Sequence, residues 1–171
     1  MATVTQKASV KSGRSRYATV PIGSVAYSSM GTNTTPVAGT IYWAELNIPR
    51  VITLTGASIL NGGTVGTDKG IAALYDTNGA LVANSATAGA TTSGANAFQN
   101  FAFTSTVEVQ PGRYFLAYQM NGTTDRFRSI AVSTFIDSLT ASATGTFGTL
   151  TALTVPTTIT ADVGPIGFVY A

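Results

Sequence analysis

The residues that most often carry enzymatic chemistry are scarce in this chain of 171 residues. It contains no histidine and no cysteine, which excludes Ser-His-Asp and Cys-His catalytic sites and thiolate metal sites. The remaining candidates are seven carboxylates: Glu45, Asp68, Asp76, Glu108, Asp125, Asp137 and Asp162. They are spread singly, whereas a glycosidase needs two carboxylates across one cleft. We therefore predict that the protein is not an enzyme and uses no metal or cofactor.

Cations and aromatic rings are the second kind of group that could recognise a ligand. Arg126 and Arg128 flank Phe127, and in a strand both arginines share one face. They could contact an acidic partner or a nucleic acid that stacks on Phe127, but we favour two solvated arginines opposite a core phenylalanine. Trp43 is the single tryptophan, and alternation places it on the strand face away from the predicted core. It is a candidate for stacking on a sugar or for a subunit interface.

Charge is rare and unevenly placed along the chain. Charged residues make up 9 % of the sequence, against about 25 % in a typical soluble domain. Residues 1–35 contain four basic residues and no acid, whereas residues 36–171 contain five basic and seven acidic residues. We predict an extended basic arm over 1–35, held by a neighbouring subunit or lying along its own domain. The arm has four cations and only Tyr17 close to them as an aromatic residue, which is weak support for nucleic-acid binding.

Segments that would direct the chain to a membrane are not evident. No run reaches the roughly 18 apolar residues of a membrane span. The N-terminal residues MATVTQKASVKSGRSRY lack the apolar stretch of a secretory signal. The surface is expected to be rich in Thr, Ser and Gly and poor in charge, which favours packing against other subunits.

Alternating apolar residues predict the secondary structure of residues 36–171. Residues 41–49 read IYWAELNIP and residues 113–120 read RYFLAYQM, each with every second residue apolar. The inward residues are predicted to be Tyr42, Ala44, Leu46, Ile48, Tyr114, Leu116, Tyr118 and Met120. Short strands at intervals of about 8–12 residues indicate an all-β domain. We predict a single antiparallel β-sandwich, jelly-roll-like, preceded by the extended N-terminal arm.

The stretch 71–85, IAALYDTNGALVANS, predicts a β-hairpin that turns at Asn78-Gly79. Both faces of this hairpin carry small apolar side chains. We therefore expect it to be covered on both faces or to lie at a subunit contact. The Thr- and Gly-rich stretch 138–156 is expected to be a long loop or a weak hairpin.

The order of these elements resembles small β-sandwich structural proteins of tailed bacteriophages. The likeness covers residues 40–130, including ALYDTNGALVANS, the FAF strand and VQPGRYFLAYQMNGTTDRFR. In such proteins an LYD-x-NG-x-L hairpin and a PG-x-Y strand recur. They decorate capsids, form head fibres or make the receptor-facing heads of tail fibres. Because these motifs belong to turns and cores, the resemblance implies the fold more directly than the function.

The resemblance implies a virion protein on the capsid surface, made in the host cytoplasm. We predict a capsid decoration (cement) protein that forms a homotrimer and has the major capsid protein as its partner. Its body would sit on the shell while the basic arm adheres to the shell lattice. The residues predicted for shell contact are Lys7, Lys11, Arg14, Arg16 and Tyr17.

Two other binding functions stay open at this point. The first is a receptor-binding head of a phage head or tail fibre, which would grip a glycan through aromatics such as Trp43. A fibre protein usually carries a shaft, and this chain has no repeats or heptads, which favours decoration. The second is a carbohydrate-binding sandwich without a role in the virion.

Overall fold

The computed structural model describes residues 16–22, 25–131 and 138–171, so the predicted contact residues Lys7, Lys11 and Arg14 lie outside the described residues. Within these ranges the chain forms twelve strands and a short 3-10 helix at Tyr27–Ser29. The strands are β1 (Arg16–Ala18), β2 (Thr32–Thr34), β3 (Ile41–Ile48), β4 (Ile52–Leu60), β5 (Lys69–Tyr75), β6 (Leu81–Asn84), β7 (Ala90–Thr91), β8 (Phe98–Val109), β9 (Gly112–Met120), β10 (Phe127–Ser129), β11 (Thr140–Ala143) and β12 (Gly167–Tyr170). The predicted all-β class is confirmed. The described part of the chain holds no helix that is long and apolar enough to span a membrane.

Two antiparallel sheets face each other. The four-stranded sheet has the order β1-β12-β4-β8, and the six-stranded sheet has the order β11-β3-β9-β5-β6, with β7 also paired to β5. The principal pairs are β1 with β12, β3 with β9, β4 with β8, and β5 with β6. Strands paired in this way, the first with the last and so on inward, form a jelly roll. The predicted jelly-roll-like sandwich is therefore confirmed, with β11 added at one sheet edge and β2–β10 as a separate ribbon.

The first strand belongs to the sandwich and not to an independent arm. β1 pairs with β12, and β2 pairs with β10. Just after β1, the hydroxyl of Thr19 donates to the carbonyl oxygen of Pro165 at 3.0 Å and accepts from the Gly167 N–H at 3.1 Å. A domain boundary at residue 35 therefore does not fit the described residues. The jelly roll includes the chain from residue 16 onward, because β1 is the first strand of its outermost pair.

Side chains from both sheets form the main core. The inward face predicted for β3 and β9 is correct, since Leu46 and Leu116 are both buried in this core. Phe127 enters from β10 and lies between Tyr42 and Tyr118, with ring centroids 5.1 and 5.7 Å away. The four-stranded sheet contributes Leu54, Ala57, Ile59, Phe101, Phe103, Val109 and Val169. This core forms without disulfides, since the chain has no cysteine.

The six-stranded sheet is buried on its outer face as well. Trp43, Tyr75 and Phe115 point away from the main core and pack with Leu153. Leu153 belongs to residues 138–156, which we call the covering segment; it begins with β11 and has no further strand in its length. Strands covered on both faces take apolar residues at successive positions. The hairpin of small residues is therefore covered on both faces by the chain itself, which was the first of the two arrangements expected from the sequence.

The covering segment is fastened to the turn between β5 and β6. Gly79 has a φ of +80°, and its carbonyl oxygen accepts from the Leu153 N–H at 2.8 Å. A side chain at Gly79 would collide with the carbonyl oxygen of Leu153. Asp76 Oδ1 accepts from the N–H groups of Asn78 and Ala80 at 2.8 and 2.9 Å. The predicted hairpin is confirmed, and its glycine allows both the turn and the close approach of the segment.

Candidate functional site

Asp125 is fully buried and saturated with hydrogen bonds. Its Oδ2 accepts from the N–H groups of Gly66, Thr67 and Asp68 at 2.8–2.9 Å and from the Thr92 hydroxyl. Its Oδ1 accepts from the Thr67 hydroxyl at 2.9 Å. Burial alone would raise the pKa of Asp125, but these hydrogen bonds favour the charged form more strongly and lower its pKa to about 2. The carboxylate is therefore ionised at neutral pH and held in place.

Asp68, on the facing loop, accepts hydrogen bonds from the loop that carries Asp125. Its Oδ2 accepts from the N–H groups of Thr124 and Asp125, both at 2.8 Å. The two carboxylates thus fasten loop 61–68 to loop 121–126. This arrangement suits holding the loops more than donating a proton, because the oxygens face backbone amides. The residues that the structure describes contain no group of three or more His, Cys, Asp or Glu that could hold a metal ion.

Four aromatic rings form a row on the outer face of the four-stranded sheet. The row runs Tyr27, Phe98, Phe168 and Tyr170, with successive ring centroids 5.1, 5.1 and 6.4 Å apart. Alternation explains the position of the last two, because Val169 between them points into the main core. We call this set the aromatic row. Aromatic residues of this kind are enriched in protein interfaces and ligand grooves.

A groove of about 320 Å³ lies beside the aromatic row. It is lined by Arg16, Ile22, Tyr27, Phe98, Asn100 and Phe168. Two of its apolar side chains are unusually open, since Ile22 and Tyr27 are 38 % and 42 % exposed. A groove with aromatic walls, one cation and one amide, next to exposed apolar groups, can bind a partner molecule.

β1 directs its two predicted contact residues to opposite faces. Arg16 points outward, with its guanidinium carbon 4.8 Å from the centroid of the Phe168 ring, a cation–π contact. Tyr17 turns inward against the main core, and its hydroxyl oxygen accepts from Arg50 Nε at 3.0 Å. Of the two, Arg16 is the one placed to contact another molecule.

Trp43 is not an exposed aromatic side chain. It does point away from the main core, as alternation predicts, but the covering segment packs over that face. Its side chain is 2 % exposed, and the indole Nε1 has no hydrogen-bond partner. The prediction of a glycan or interface contact through Trp43 is therefore wrong. The physical reason is that a distant part of the same chain returns to cover this sheet.

The arginine pair also differs from the favoured interpretation. Phe127 is fully buried, as predicted for a core residue, so no base can stack on it. Arg126 is half-buried, and its Nη1 donates to the Asn33 carbonyl oxygen at 3.4 Å. Arg128 is 8 % exposed, with Nη2 donating to Asn96 Oδ1 at 2.7 Å. The expectation of two solvated arginines is therefore wrong for Arg128.

Of the residues that line the groove, Arg16 is the one predicted from the sequence as a contact residue. Tyr27, Phe98 and Phe168 come from three separate parts of the chain, and no local pattern connects them. Asp125 and Asp68 were recognised as isolated acids, although both lie in glycine-containing loops where exposed N–H groups favour a carboxylate. Only the return of these loops to one end of the sandwich brings the two acids together.

Comparisons with known proteins add no family assignment. No protein-family model matches the chain, and no curated protein matches it significantly. The fold and the outer face of the four-stranded sheet are therefore the basis on which a function is proposed.

Proposed function

We propose that this protein is a capsid decoration protein of a tailed bacteriophage, which binds and stabilises the outer surface of the shell without catalysis. The observation that carries the proposal is the outer face of the four-stranded sheet, where Arg16, the groove and exposed apolar side chains lie together. β1 is one of the two edge strands of this sheet. The sequence before β1 adds Lys7, Lys11 and Arg14 and no acid. Cations beside apolar groups suit a partner surface that is acidic and apolar.

Three general properties support this role. Jelly rolls are common among viral capsid domains. The low share of charged residues favours association, because like charges on neighbouring copies would otherwise repel. A protein bound in many copies also gains stability from its neighbours by mass action. In this proposal the partner is the major capsid protein, and the decoration protein is a homotrimer.

Deleting residues 1–15 is expected to leave a folded sandwich that binds shells of the source phage at least tenfold more weakly. The deletion removes three cations, each contributing up to about 1 kcal/mol to binding an acidic surface. It stops before Arg16, because a longer deletion would remove β1 and the hydrogen bonds of Thr19. Co-sedimentation with purified shells would measure the binding, and thermal unfolding would verify the fold.

A charge-matched control separates the arm from the rest of the surface. The triple change Lys7→Gln, Lys11→Gln and Arg14→Gln keeps the chain length and should weaken binding as the deletion does, with the difference shrinking at high salt. Equal binding by the deletion, the triple variant and the intact protein would remove the arm from the proposal. An intact protein that binds no shells would remove the decoration function itself.

The groove favours glycan recognition as a second candidate function. Tyr27 presents an exposed ring, while Arg16 and Asn100 offer hydrogen-bond donors and an acceptor beside it. The ring can stack on a sugar, and the polar groups beside it can bind the hydroxyl groups of that sugar. The protein would then be the receptor-binding head of a phage fibre.

Replacing Tyr27 by alanine is expected to abolish binding to any glycan that the intact protein captures on a glycan array. The reason is the loss of the exposed ring, and the fold should survive because Tyr27 is 42 % exposed. Leu81→Ala is the matched control, since Leu81 is 41 % exposed and is not a groove residue. Retained glycan binding in the Tyr27 variant, or no captured glycan at all, would exclude this second function.

A further inference from the structure

The guanidinium of Arg128 is buried without a counter-charge. The residue is 8 % exposed, and its Nε is buried with no hydrogen-bond partner. Its Nη2 donates to the neutral side-chain oxygen of Asn96. Among the residues that the structure describes, no carboxylate forms an ion pair with it. Burying an unpaired charge lowers stability, so a native protein normally supplies a partner.

The strand register places a second cation on the same side. β10 pairs with β2 so that Arg128 lies opposite Asn33. Arg126 precedes it by two residues and donates to the Asn33 backbone at 3.4 Å. Phe127, between the two arginines, points into the main core. Alternation therefore puts both guanidinium groups on the outward side of the ribbon.

Asn96 orients Arg128 but does not neutralise it. Its backbone is in the left-handed region, with a φ of +52°, and its N–H donates to the Gly62 carbonyl oxygen at 2.8 Å. Asparagine adopts this conformation more readily than other non-glycine residues, because its short polar side chain can hydrogen-bond locally. The loop thus presents the Asn96 amide oxygen to one nitrogen of the guanidinium and leaves other donors of Arg128 available.

We propose that Arg128 and Arg126 form a binding site for an oxyanion, which is a carboxylate or a phosphate group. A guanidinium is a planar fork of five N–H donors that matches two oxygens of such a group. The bound oxyanion would supply the missing counter-charge of Arg128 by accepting from the terminal nitrogen that Asn96 does not bind. The site lies on the β2–β10 ribbon, and it goes beyond shell binding because it does not require the shell.

The test compares thermal unfolding in sodium phosphate, sodium acetate and sodium chloride at equal ionic strength. The intact protein should show a saturable rise in Tm with phosphate or acetate and none with chloride. Phosphate can also stabilise proteins by exclusion from their surface, so the comparison that decides is with Arg128→Gln, which should lose the saturable part. A response to phosphate alone would assign a tetrahedral oxyanion, and a response to acetate would assign a carboxylate.

Two further variants keep the proposal testable if Arg128→Gln does not fold. Arg126→Gln keeps the buried residue and should raise the half-saturating concentration roughly tenfold. Arg113→Gln is the matched control, because Arg113 is an exposed strand arginine bonded to the Thr77 hydroxyl at 3.3 Å. The proposal is overturned if the intact protein shows no saturable rise, or if the Arg126 and Arg113 variants respond alike.

Discussion

Replacing Trp43 by alanine is expected to lower the free energy of unfolding by about 3–5 kcal/mol, the usual cost of removing a buried aromatic side chain. Trp43 is 2 % exposed and lies in the cluster that joins the six-stranded sheet to the covering segment. The segment has no strand between β11 and β12, so its attachment depends on these side-chain contacts and on a few hydrogen bonds, such as that from the Leu153 N–H to Gly79. Hydrogen exchange should therefore increase over 144–156 more than over the main core.

Chemical denaturation would measure the loss of stability, with Trp43→Phe as the matched control. Phenylalanine keeps most of the buried ring area and removes the Nε1–H group that has no partner, so its cost should be about 1 kcal/mol. An alanine variant as stable as the native protein would contradict the buried position. Such a result would indicate that Trp43 is exposed and available for contacts with a sugar or another subunit.

Replacing Asp125 by asparagine is expected to lower the free energy of unfolding by about 3 kcal/mol. The change removes the charge and puts an N–H₂ group against donors, so that N–H groups of Gly66, Thr67 or Asp68 lose their acceptor. Loops 61–68 and 121–126 would then separate first. Denaturant unfolding gives the free energy, and hydrogen exchange of these three amides locates the change.

The pH dependence of stability gives an independent readout of the same carboxylate. The folded-state pKa of Asp125 is lowered from its ordinary value of 3.8 to about 2. Its stabilisation is therefore fully present above about pH 4 and is lost as the pH falls through 2. This term amounts to about 2 kcal/mol, and the asparagine variant should lack it.

Asp76→Asn is the matched control for Asp125. Asp76 also accepts two backbone N–H groups, but through one oxygen at a partly exposed turn, and an asparagine Oδ1 can accept them as well. We expect a cost below about 1 kcal/mol. Equal losses in the two asparagine variants, or an acid profile that Asp125→Asn leaves unchanged, would contradict the described role of Asp125.

The alternating strands could be predicted from the sequence, because the side chains of a strand alternate between the buried and the exposed face. Tyr42, Leu46 and Leu116 take the inward positions that the period of two assigns to them. The Asn78-Gly79 turn was equally readable, since its geometry depends on neighbouring residues alone. Such local patterns are sufficient for the all-β class.

The outer faces of the two sheets were not readable in the same way. Trp43 alternates correctly, yet its environment depends on residues 138–156, about 100 positions further along the chain. Arg128 follows the same pattern as a solvated strand residue, but loop 92–97 lies against it through Asn96. Side chains on these faces are buried by segments that are distant in sequence, and local periodicity does not show which segments these are.

By itself, the sequence determined the all-β class, the inward faces of β3 and β9, the hairpin of small residues and the scarcity of catalytic groups. The tertiary structure decided which segment covers that hairpin, that β1 belongs to the sandwich, and which cations are buried. It also brought Tyr27, Phe98 and Phe168 together beside Arg16. The physical reason is range: strand alternation and turns follow from neighbouring residues, whereas a surface groove or a buried charge depends on how the sheets roll up and which loops return over them.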